Sequence, residues 1–114
     1  MSVLVEAGRG PWRWLFQRVA NPALYQPLNE QSYAVLVFIR GVRSDDLFAS
    51  AMQQDVAGIM DATAFAATFP ARPRPARYDR LRTATTSFTV EEWRGSPNDD
   101  SPVFFKCLLR GGSQ

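Results

Sequence analysis

Residues 33 to 42, YAVLVFIRGV, restrict the fold more than any other stretch of this chain. The run is rich in β-branched and aromatic residues and breaks at Gly41, which predicts a strand. Val35, Val37 and Ile39 fall on one face, Leu36 and Phe38 on the other. A strand with one wet face alternates apolar with polar residues. This one is apolar on both, so one face is expected against a core and the other under a helix or a neighbouring subunit.

The remaining strand signals are shorter. Residues 56 to 60, 79 to 83 (DRLRT), 86 to 93 (TSFTVEEW) and 103 to 110 (VFFKCLLR) read as strands separated by polar turns such as GSPNDDSP. In the third of these, Phe88 and Val90 are expected to face inward and Thr89 and Glu91 outward. Lys106 is expected to mark a solvent-facing position of the last strand. Asp61, ahead of ATAFAAT, is placed to cap a short helical turn. The expected fold is mainly β: a small β-barrel or sandwich of about five strands with one or two short helices, long loops and an N-terminal arm. Residues 1–33 are assigned to the arm and 34–114 to the barrel domain. Within the arm, RGPWRWLFQRVAN reads as a short amphipathic helix that places Trp12, Leu15, Phe16 and Val19 on one face. That face either packs on the chain's own core or docks into a groove on a neighbour. Residues 22–33, with two prolines, read as an extended connection. Residues 43–55 read as a long hairpin excursion or a short helix over 46–54.

Composition narrows the chemistry. The chain has 114 residues, no histidine, and Cys107 as its only cysteine. Zinc and thiol–imidazole sites are therefore effectively excluded, and Cys107 is expected as a buried small hydrophobe. No phosphate-binding glycine loop or spaced acidic motif is present, so neither an enzyme nor a cofactor is expected. No apolar run approaches the roughly 20 residues of a membrane-spanning helix, and MSVLVEAGRG lacks a secretory pattern. These features predict a soluble chain with no membrane partner.

Thirteen residues are basic, and all but Lys106 are arginine. Arginine favours bidentate partner contacts over plain solvation. Five of the twelve lie in FPARPRPARYDRLR, residues 69–82, which is held extended by three prolines. With Asp79 this ribbon carries a local charge of +4, five minus one. Arg72, Arg74, Arg77, Tyr78, Arg80 and Arg82 are its candidate partner-binding residues.

The order of these elements resembles the small β-barrel head–tail joining, stopper or head-completion proteins of long-tailed phages such as lambda. The resemblance covers residues 34–111. It rests on a strand ending FIRGV, a long excursion, a DATAF-like turn, RYDRL opening a small hairpin, an FTVEEW strand, an acidic turn and a closing strand ending in arginine. The family commonly has Gly-Asp where this chain has Tyr78-Asp79, and a glycine turn where it has ATTS. The resemblance implies a structural, non-enzymatic ring, commonly a hexamer and alternatively a dodecamer. It would sit below the portal or adaptor in the virion, made in the host cytoplasm, closing the DNA-filled head. It would meet the tail tube or tail terminator and touch packaged DNA. Asp45, Asp46, Leu47, Phe48 and Met52 of the excursion are candidates for contact between subunits. The alternative is a small nucleic-acid-binding barrel in which arginines 72–82 neutralise phosphates and Phe69 and Tyr78 stack on bases.

Overall fold

The computed structural model describes residues 16, 18–96 and 99–112. Six antiparallel strands, β1 (Asn21–Gln26), β2 (Tyr33–Gly41), β3 (Val56–Asp61), β4 (Arg80–Arg82), β5 (Ser87–Ser96) and β6 (Phe104–Gly112), close into a barrel in the order β1-β2-β3-β6-β5-β4. A short α-helix, α1 (Ala62–Thr68), follows β3. The mainly β expectation holds, with six strands among the described residues rather than about five.

The added strand is β1. Residues expected to form a connection outside the barrel instead pair with β2 (Ala23↔Val35) and with β4 (Tyr25↔Leu81), and so close the wall. The barrel therefore begins at Asn21, not at residue 34. Pro22 sits near the start of the strand, where a missing N–H is tolerated. Ala23 and Tyr25 point inward while Leu24 points outward.

Every strand supplies alternate residues to the interior, where Tyr25, Val37, Leu81, Val90, Phe105, Cys107 and Leu109 are essentially inaccessible. Val90 and Phe88 face this core as their alternation predicts, and Cys107 fills it as a small apolar group. Gly58 is needed there. A Cβ on it would lie 2.6 Å from Leu109 Cδ1 and 3.3 Å from Val37 Cγ2, so only hydrogen lets these chains meet across the interior.

Asp61 caps α1 as expected: its Oδ2 accepts from the Ala64 N–H at 2.9 Å. The helix ends at Phe69, whose φ/ψ of −124°/68° leaves the helical region, and Pro70 follows. Around the closed wall β3 and β4 stand three strands apart in either direction. The chain from α1 to β4 must therefore cross the barrel's end. Phe65 and Phe69 plug that end, with Phe65 edge-on to Tyr25 at 5.0 Å and to Phe105 at 5.6 Å between ring centroids.

Candidate functional site

Three features of the barrel surface bear on function: the crossing loop 69–79, a strap formed by residues 42–55, and an apolar stretch of wall.

The crossing loop is organised by Asp79, which is 2% exposed. Its carboxylate accepts from the Tyr25 hydroxyl at 2.6 Å, the Leu28 N–H at 2.9 Å and the Ala76 N–H at 3.0 Å. One buried side chain thus ties the loop to β1 and to the β1–β2 turn. Tyr78 precedes it at φ 76°, a left-handed conformation that glycine adopts at less cost. Arg72 reaches Glu30 at 3.0 Å, and Arg74 donates to the Asp99 carbonyl at 3.0 Å and lies 5.7 Å from the Trp93 ring centre. Both arginines are engaged in fastening the loop to its own barrel, which removes them from a set free to bind a partner. Arg77 stacks over Tyr78 at 4.8 Å and lies 3.8 Å from Glu91. Arg80 and Arg82 differ: on β4 they flank the buried Leu81, point outward, and have no ion pair among the described residues. The six residues proposed as one contact loop therefore divide into a structural part and an exposed part.

The strap joins β2 to β3. It contains a 3-10 turn over Ser44–Asp46 and no helix across 46–54. Three carboxylate contacts clamp it to the outer wall. Asp46 accepts two bonds from Arg40 at 2.7 and 2.8 Å, and Lys106 Nζ lies 3.2 Å away. Asp55 accepts from Arg110 Nη2 at 2.9 Å and Nε at 3.1 Å. Glu92 of β5 accepts from the Ser50 hydroxyl at 2.7 Å and from the N–H groups of Ser50 and Ala49 at 2.8 and 3.1 Å. Asp46 and Asp55 also close local turns, accepting from the N–H groups of Arg43 at 2.8 Å and Met52 at 2.9 Å. Beneath the strap Ala57, Ile59 and Leu108 are buried on the face away from the core.

Two expectations are corrected here. Asp46 is not available to a second subunit, because it is 2% exposed and bonded to two cations of its own chain. Lys106 is not a solvated marker, because its ammonium is drawn into that same cluster with the side chain 17% exposed. Leu47, at 66% exposure, and Met52, at 62%, do project from the strap; Phe48 is half-buried, and the Asp45 side chain lies outside the described residues. Glu91 is the extra residue of a β-bulge opposite β6 and lies 3.2 Å from Arg110.

The charges of the strap are stabilised where they stand. The Arg40 bonds hold Asp46 well below its ordinary value of 3.8, with the Arg43 N–H and Lys106 adding to them against the effect of burial. Arg110 does the same for Asp55. Burial raises Glu92, but the bonds from Ser50 and Ala49 and the Arg94 charge outweigh it, and the carboxyl ends below its ordinary value. Burial pushes the Cys107 thiol far up, so it stays protonated.

The apolar wall is the outer face of β1 and β2. Leu24 and Leu36 are 42% and 40% exposed, and Val19 beside the start of β1 is 44% exposed. Leu36 stands opposite Pro22, and Leu24 opposite both Ala34 and Arg82. A groove of about 430 Å³ runs between this wall and α1, lined by Pro22, Leu36, Met60, Phe65, Ala67 and the ring of Phe16. Phe16 is 3% exposed, so it serves as part of its own chain's groove and not as an anchor for a neighbour. Of the other residues assigned to a docking arm, Val19 is exposed, and Trp12 and Leu15 lie outside the described residues.

Sequence reading missed this wall because the prolines around β1 hid the alternation of Ala23, Leu24, Tyr25 and Gln26. It also missed Arg40, Asp55, Asp79, Glu92 and Arg110 as fasteners. Asp46 of the excursion stands out in the sequence, but nothing in the chain order names its cations. Comparison with protein families, with curated proteins and with solved structures finds no match.

Proposed function

We propose that this chain is a structural subunit of the head-to-tail connector of a tailed phage or prophage. In this reading it forms a ring, of hexameric or dodecameric stoichiometry, below the portal or adaptor protein. The ring closes the DNA-filled head and offers a surface to the tail tube or tail terminator, and the chain catalyses no reaction. The order of elements noted above supports the family. The exposed apolar wall of β1 and β2 is the single observation that carries the assembly role. A closed barrel has no free strand edge, so it cannot associate by adding strands. Association must use side-chain faces, and among the described residues an apolar face with an adjoining groove stays exposed while the buried Asp46 and Asp55 are matched within the chain. Deleting the coding sequence from a phage that carries it tests the reading. The expected result is DNA-filled heads that lose their DNA and fail to join tails, with the protein found by mass spectrometry in complete wild-type particles. Normal infectious particles from the deletion would overturn it.

Arg80 and Arg82, outward-facing with no ion pair among the described residues and near the exposed Tyr78, favour a second reading, a nucleic-acid-binding barrel. Light scattering with labelled single-stranded and duplex DNA at low and moderate salt separates the two. Tight binding that collapses with added salt would make DNA the principal partner. Self-association indifferent to DNA supports the connector.

A further inference from the structure

Tyr78 stands at φ 76°, which costs a tyrosine more than a glycine, and burial does not offset that cost, because the side chain is 52% exposed. What the position does is present the ring. The Arg77 guanidinium lies over it at 4.8 Å, and no other aromatic ring meets it among the described residues. The backbone holds the residue in place: the Tyr78 N–H donates to the Val90 carbonyl at 2.8 Å, and Asp79 beside it is buried. A strained, exposed aromatic ring with a guanidinium over it is a platform for a second flat group.

Arg80 and Arg82 follow on β4, exposed on the same side of the strand at positions roughly 6–7 Å apart. Their cross-strand neighbours are Gln26 and Thr89 for Arg80, and Leu24 and Ser87 for Arg82. None of these is a carboxylate, and neither arginine has an ion pair among the described residues. The carboxylate further along β5, Glu91, is already engaged by Arg110 at 3.2 Å. Two like charges held close together without a counter-ion favour a polyanion as ligand. Ser87 and Thr89 set hydroxyl groups beside them, and hydroxyls donate to phosphate oxygens. Duplex DNA would use only these charges. The Tyr78 platform needs a base that is free of its own stack.

We propose that Tyr78, Arg80 and Arg82 form a binding site for single-stranded nucleic acid, with a base stacked on the Tyr78 ring and neighbouring phosphates held by Arg80 and Arg82. This is independent of the connector reading and rests on the nucleic-acid reading, whose ligand and site it names. The test is fluorescence anisotropy of the full chain with a labelled oligothymidylate and with its duplex on oligoadenylate, with polyglutamate as a competitor. The single strand is expected to bind more tightly than the duplex. Tyr78→Gly, which removes the ring and relieves the backbone, is expected to weaken the single strand at least about fivefold and to leave the duplex unchanged, while Tyr78→Phe keeps the affinity. Arg80→Gln with Arg82→Gln, at exposed positions that leave the circular dichroism unchanged, is expected to weaken both forms. For the single strand it should make the dependence of log K on log salt shallower by about 1.4. Nucleic-acid binding that Tyr78→Gly or the arginine pair leaves untouched would overturn the site and leave the nucleic-acid reading standing. Polyglutamate displacing the oligonucleotide as well as unlabelled oligothymidylate does would assign the patch to an acidic protein and overturn the proposal. No binding to either form at low salt would overturn the site and the nucleic-acid reading together.

Discussion

Replacing Asp79 with alanine should remove a large part of this domain's margin of stability. Three donors converge on that carboxylate: the hydroxyl of Tyr25, which is fully buried, and the part-buried N–H groups of Leu28 and Ala76. An orphaned buried donor costs roughly 1–3 kcal/mol. The Tyr25 hydroxyl has no water to turn to and falls near the middle of that range, about 2 kcal/mol; the two N–H groups sit at its low end, about 1 kcal/mol each. The sum is about 4 kcal/mol, against a total stability of roughly 5–15 kcal/mol for an ordinary domain. At roughly 4 °C per kcal/mol for a chain of this length, the thermal midpoint should fall by about 15 °C. Urea unfolding of the wild type, Asp79→Ala, Tyr25→Phe and the double variant gives both the total and the pairwise coupling. The Tyr25–Asp79 coupling is expected at about 1–2 kcal/mol. A loss below about 1.5 kcal/mol for Asp79→Ala, or a coupling near zero, would refute the view that this carboxylate pins the crossing loop to the barrel.

Three further outcomes follow from the same geometry. Asp46 and Asp55 have folded-state values depressed below 3.8, so their stabilisation is complete above the ordinary carboxylate range and is lost as pH falls through 3.8 toward the depressed values. Amide exchange or limited proteolysis across 47–54 should therefore quicken from about pH 4 downward, before global unfolding, and a strap equally protected at pH 3 would contradict the clamp. Gly58→Ala should lose about 1–3 kcal/mol in urea unfolding, because Leu109 must move out of the path of the new methyl inside a packed core. Tyr78→Gly should leave the thermal midpoint within a few degrees of wild type, while Tyr78→Val should lower it by an amount equivalent to about 1–2 kcal/mol, since φ 76° is least accessible to a β-branched residue.

Much of the architecture could be read from local pattern. The two-sided apolar run of β2, the alternation of Phe88 and Val90, the cap at Asp61 and the buried Cys107 each follow from rules that act within a few residues. Strand β1 did not follow, because its prolines signal a connection and its alternation spans only four residues; pairing on both sides makes it a strand. The face of β2 expected under a helix or a neighbour proves to be divided. Its far end lies beneath the chain's own strap at Arg40, and its near end, at Leu36, stays open. Residues 69–82 show the same limit. Their charge and stiffness are plain in the sequence, but which arginines fasten the loop and which face outward depends on where Glu30, Trp93 and Asp99 come to lie. The sequence by itself determined a mainly β chain with a stiff cationic loop, a buried thiol and no histidine. Closure of the barrel and the reach of the strap are properties of residues distant in the chain, and only the tertiary structure decided them. Ion pairs and sheet register are selected by spatial proximity, which local periodicity does not encode.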